Sequence, residues 1–274
     1  MLLLLIGGLI FAVSKLVEAA VGEATDAWND STGAVEEFWD NIKNYFDEET
    51  DDYDNYDYDY ESDVYIPSPD DEYYVELADA VRDDLSYTVD FEEYTHSDYE
   101  NSVHISVWYA QVSEELANSE TINEYLMDYA LYYAYMYESD SISDFTLEVE
   151  SFVTYMDEET LSVVVDEYIY VDGESTYDLF CMNFDLKTGT LLNNTDIIEV
   201  SDDLVDAFVE QSIYQNGYTS SVSDYSDDEK ADFMKNEDSL ILFYTPVGLE
   251  IGYNHPNGWV TATLKDYQRF LKKL

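Results

Sequence analysis

A chain of 274 residues has room for one large domain, or one medium domain with extras, and at 46% hydrophobic it can bury a real core. Its formal net charge is −53, from 63 acids against 10 bases, a field that repels DNA, RNA and anionic lipid headgroups and attracts basic proteins or cations. Cys181 is the single cysteine, which excludes an intrachain disulfide.

The first segment, residues 1–21, opens on the apolar run MLLLLIGGLIFAV. The run is short of the roughly 20 residues that a membrane span requires. Two export readings compete: a signal peptide with a small-residue cleavage site near Val17-Glu18-Ala19, or a membrane anchor. A buried core helix is the third reading. Either export reading places the bulk of the chain outside the cytoplasm, at the cell membrane if the helix is kept and secreted if it is cleaved. The acidic flank agrees, because positive charge is favoured inside, and Gly7, Gly8, Ala12 and Ala19 suit a membrane helix.

Residues 22–48 carry a helical stripe of Ala34, Val35, Phe38, Trp39, Ile42, Tyr45 and Phe46. The polar side is acidic, so a stalk helix is expected rather than one lying on a membrane. Residues 49–72 form an acidic linker containing DDYDNYDYDYESD, closed by Pro67 and Pro69. Like charges repel and extend such a run. An EF-hand loop needs a glycine at its sixth position, and this run has none; Asp57, Asp59 and Glu61 could collect a divalent ion only loosely.

Residues 73–274 read as a folded α+β domain, a mostly antiparallel sheet with flanking helices. DDEYYVELADAVRDDL predicts a short helix. SYTVDFEEYT and SVHISVWYAQV alternate as a hairpin that turns at His96-Ser97-Asp98. SETINEYLMDYALYYAYMYES predicts one helix capped by Ser119. FTLEVESFVTYM, TLSVVVDEYIYV and STYDLFCMNFDL are strands. SDDLVDAFVEQSIYQNG is a helix ending at Gly217, and SDYSDDEKADFMKNED a connector with a short helix. SLILFYTPVGLEIGYN and GWVTATL are strands, and KDYQRFLKKL a last helix.

No HExxH, GxSxG, P-loop or Cys–His cluster occurs, so no enzyme and no cofactor is expected. His104 is expected to be a satisfied core residue, His255 to sit in a surface turn, and Cys181 to serve as a small buried hydrophobe.

Three blocks carry a resemblance. VHISVWYAQVSEELANSETINEYLMDYA gives a strand, a turn and a helix start. DEETLSVVVDEYIYVDGESTYDLFCMNFDLKTGTLLNNTDII holds the most specific signature, Asp185-Leu186-Lys187-Thr188-Gly189. FYTPVGLEIGYNHPNGWVTATLKDYQRFL closes the region. Over about residues 85–274 the chain resembles the bacterial extracytoplasmic domain shared by the lysozyme-sensing anti-sigma factor RsiV and accessory regions of peptidoglycan deacetylases. It departs at Ala110, where that family often has proline, and at Val171-Asp172-Gly173-Glu174, which lacks the family's histidine.

The resemblance implies a membrane-anchored binding or sensing module outside the cytoplasm, with Asp172, Gly173, Glu174 and Tyr177 as the candidate ligand-facing loop. The partner it implies is a basic protein such as lysozyme, or a cell-wall component, and the charge would steer a basic partner. The alternative is a non-enzymatic accessory or structural domain whose acidity adapts it to salt or keeps it soluble.

Overall fold

The computed structural model describes residues 70–140, 143–171 and 173–272. The expected N-terminal helix, the stalk helix and the linker up to residue 69 lie outside the described residues. Among the described helices none is long and apolar enough to cross a membrane.

In chain order the elements are α1 (Leu77–Ala80), β1 (Val89–Asp98), β2 (Val103–Val112), α2 (Ser119–Ala130), α3 (Tyr132–Asp140), β3 (Phe145–Met156), β4 (Thr160–Val171), β5 (Glu174–Asp185) and β6 (Thr190–Leu192). Then follow α4 (Asn194–Ile197), α5 (Asp202–Asn216), α6 (Ser220–Ser223), α7 (Asp227–Lys235), β7 (Leu240–Tyr244), β8 (Leu249–His255), β9 (Gly258–Leu264) and a 3₁₀ turn, Tyr267–Phe270. The architecture is α+β, in two sheets: six strands ordered β1 to β6 and three ordered β7 to β9. All strand pairs are antiparallel except β2 with β3. Parallel neighbours need a long crossover, and α2 and α3 supply it.

Period-2 alternation decides which face each strand buries. Ile105 and Val107, Leu147 and Val149, and Val163 and Val165 share one face and pack with Ile122, Leu126 and Ala130 of α2. Each such buried aliphatic side chain is worth about 1.5–3 kcal/mol relative to exposure. The second sheet has its own core, in which Phe208 of α5 and Met234 of α7 pack with Ile251 and Tyr253. Ser201 caps α5, accepting from Leu204 N, and Gly217 ends it at φ +69°; Ser226 and Glu229 form a capping box on α7.

The two sheets meet on the opposite face of β4 and β5, where Val164, Leu179 and Ile241 cluster with Cys181, Phe243 and Trp259. A buried polar network sits in the joint. Asn183 Nδ2 donates to Asn194 Oδ1 and to Leu242 O, both at 2.8 Å. Ser162 Oγ donates to Asn183 Oδ1 and accepts from Tyr244 N. Asn254 reaches across to the Leu179 backbone, accepting from its N–H and donating to its C=O, both at 2.9 Å. Close approach of β9 to β8 leaves no room at Gly252, where a Cβ would stand 1.9 Å from Val260 O.

Four expectations are corrected. The β1–β2 turn falls at Tyr99–Ser102, and His96 to Asp98 extend β1. Asp98 fixes that later turn, its Oδ1 accepting from Glu100 N and Asn101 N. The long helix breaks at Leu131, and Ser119 does not cap it; Asn118 precedes it and sends its side chain elsewhere. The last helix is only a 3₁₀ turn, because Leu271 bridges Ile198 in extended form. The first helix shrinks to Leu77–Ala80.

Candidate functional site

The expected ligand-facing loop is a tight β4–β5 hairpin. Asp172 lies outside the described residues. Gly173 holds φ +90°, a conformation that favours glycine. Glu174 pairs with Val171 and is exposed, so these two residues shape an edge rather than a pocket. Tyr177 is 48% exposed and packs on Tyr168, ring centroids 4.6 Å apart. Both rings lie on one face of the six-stranded sheet.

Register places two rows of side chains across that face. Glu93, Trp108, Glu150 and Asp166 stand abreast on β1 to β4. Thr95, Ser106, Glu148, Tyr168 and Tyr177 form the next row, through β5. The second sheet covers this face from Leu179, the β5 partner of Asp166, onward past Val164 and Cys181, and leaves the part on β1 to β3 open. Glu150 and Asp166 are direct cross-strand partners of like charge, a destabilising arrangement. Burial, then the Asp166 charge, pushes the Glu150 carboxyl up to about 7; burial pushes Asp166 up to about 6. An incoming cation would relieve both groups.

A second pair of opposed carboxylates lies on the helix-covered face. Glu167, 4% exposed, is the cross-strand partner of Asp178. Burial first, then the charges of Asp178 and Asp166, push Glu167 up to about 8. Tyr129 of α2 and Tyr133 of α3 face it, and Tyr129 packs edge-on against Phe180 at 5.3 Å. Glu167 is thereby closed off, while Asp178 is half-buried.

Other sequence-singled residues have structural duties. Asp185–Gly189 is the β5–β6 turn: Asp185 Oδ1 accepts from Lys187 N, and Asn118 Nδ2 donates to the carbonyls of Leu186 and Lys187. Lys187 pairs with Glu159 at 2.5 Å. Gly189, at φ +69°, passes so near Asn118 that a Cβ would lie 2.6 Å from it.

His104 is exposed, beside Ser97 Oγ at 3.4 Å, not in the core, because its parity puts it on the open face. His255 is buried, 8% exposed, among Tyr225 and Tyr253, not in a surface turn, since β8 continues through it. Burial lowers its pKa. Cys181 is half-buried in the inter-sheet cluster, and burial pushes its thiol up. Among the described residues no three His, Cys, Asp or Glu side chains form a metal-binding group.

Trp108, Glu150, Asp166 and Tyr168 were not singled out by sequence. Their signal is faint but present: LEVES and VVVDEYIY set acids inside otherwise apolar strands. Only the register shows that Glu150 and Asp166 face each other.

No family model and no curated protein matches the chain. Solved structures that it resembles include DUF3298 family proteins at low identity. One, from Bacteroides fragilis, is 15% identical with a TM-score of 0.44, covering 69% of this chain and 95% of its own. Another, from Pseudomonas aeruginosa, is 10% identical with a TM-score of 0.45, covering 72% and 97%.

Proposed function

We propose that this chain is a non-catalytic binding module that takes a basic protein, of the lysozyme type, on the open face of its six-stranded sheet. The observation that carries this reading is the acid–aromatic surface in which Glu150 and Asp166 oppose each other between Trp108 and Tyr168. Aromatic side chains supply large contact area, and carboxylates with raised pKa gain when a lysine or arginine arrives. The only thiol is pushed up by burial, the reverse of what a nucleophile needs. The module would work outside the cytoplasm, held there by the apolar N-terminal segment, as the sequence resemblance implies.

The test is calorimetric titration of the full chain with lysozyme at low and high salt, with two variants. Trp108→Ala combined with Tyr177→Ala is expected to weaken binding by about tenfold or more. Asp202→Asn combined with Asp203→Asn, in the exposed first turn of α5, removes two charges away from the face and is expected to leave the affinity nearly unchanged. A loss from the Asp202/Asp203 variant with none from the Trp108/Tyr177 variant would reduce the interaction to net charge and favour the solubility reading.

A further inference from the structure

A cavity of about 440 Å³ lies where α5 meets the end of β9 and the 3₁₀ turn. In a chain with only 10 bases, two of them, Lys265 and Arg269, line this one cavity. Arg269 rests 4.4 Å from the Phe270 ring and has no ion pair among the described residues, despite the acidity of the chain. Gln211, also in the lining, carries a buried amide nitrogen with no acceptor among the described residues. Buried donors without acceptors are uncommon and costly. The cavity therefore presents one buried donor without an acceptor, Gln211 Nε2, beside an exposed guanidinium shaped to hold a carboxylate. Glu210 and Asp266 complete the opposite polarity in the same lining.

The segment entering the domain already imitates a ligand. Glu72 Oε2 pairs with Lys265 Nζ at 3.1 Å, and the Tyr73 ring lies 4.5 Å beneath the same ammonium. Tyr73 also packs edge-on to Tyr214 at 6.0 Å. A carboxylate of the chain thus occupies part of the site, and the segment acts as a strap across it.

We propose that this cavity binds a small zwitterion of amino-acid or dipeptide size, its carboxylate on Arg269, Lys265 and Gln211 and its ammonium toward Glu210 and Asp266, in competition with Glu72. A simple anion is disfavoured because the lining acids repel it. Binding displaces Glu72 from Lys265 and frees residues 70–76 from the domain, which connects an occupied cavity to the chain leading toward the N-terminus.

The experiment titrates the full chain with alanine, alanyl-alanine, N-acetylalanine and alaninamide by calorimetry. Saturable binding of alanine or alanyl-alanine is expected, the two distinguishing a free amino acid from a peptide. Alaninamide lacks the carboxylate, N-acetylalanine the ammonium, and both are expected to bind much more weakly. Arg269→Gln is expected to weaken alanyl-alanine binding about tenfold or more. Glu72→Gln is expected to tighten it several-fold, a gain that misfolding cannot produce. The proposal is overturned if neither zwitterion binds, if N-acetylalanine binds as well as alanine, or if Glu72→Gln leaves the affinity unchanged or lower.

Discussion

At position 252 a methyl group has nowhere to go. The Cβ of an alanine would overlap Val260 O and sit 2.8 Å from Thr261 Cα, both backbone atoms of the neighbouring strand. Gly252→Ala is expected to lose about 3 kcal/mol in urea denaturation, or to fail to fold. Nothing in the run IGYN announces this, because the obstruction comes from a strand eight or nine residues later. Glu167 gives a second residue-scale expectation, with a sign. In an unfolded chain a glutamate ionises near pH 4.3; folded Glu167 ionises near 8. Between those values the folded state holds a proton that the unfolded state has released. Stability is therefore full below about pH 4.3 and falls as pH rises toward about 8. Glu167→Gln is expected to flatten most of that slope and to be the more stable protein at pH 8, by about 1–2 kcal/mol. Denaturation midpoints at pH 5 and pH 8 measure it; a smaller slope remains from Glu150 and Asp166.

At the scale of elements, the strands were the legible part. β3 and β4 begin and end where their alternation does, and Asp157 closes the turn between them by accepting from Glu159 N and Thr160 N at 2.7 Å. The break at Leu131 was not legible, since LYYAYMY has no glycine or proline to mark it. Asn118 was hidden for a similar reason: it looks like part of a helix start, yet it serves a turn far along the chain. Removing it tests this. Asn118→Ala leaves the carbonyls of Leu186 and Lys187 without their donor and is expected to cost about 1–2 kcal/mol in thermal or urea unfolding. Binding on the open sheet face is expected to survive, because Asn118 touches neither row. The most specific motif of the sequence resemblance, Asp185–Gly189, thus reports on how β5 meets β6 and α2 rather than on a ligand.

Across the whole molecule the decisive feature is the joint between the two sheets. Asn183 interrupts an apolar run, and its sequence neighbours give no hint that it answers to Leu242 and Asn194. This is why the α+β class could be read from the sequence while the second sheet and its docking could not. Asn183→Ala leaves several buried polar groups unpaired and is expected to cost about 2–3 kcal/mol. It is also expected to uncouple the sheets. Amides of β4 and β8 should exchange with solvent in one cooperative opening in the native chain and in two separate openings in the variant, as read by hydrogen exchange.

The outermost strand carries a different consequence. β1 runs for ten residues, and among the described residues it pairs only with β2, so its other side is a template for another strand. Asp90, Glu92, Glu93 and Asp98 ride on that strand, and two copies brought edge to edge would repel. Acidity here works as a guard against ribbon growth.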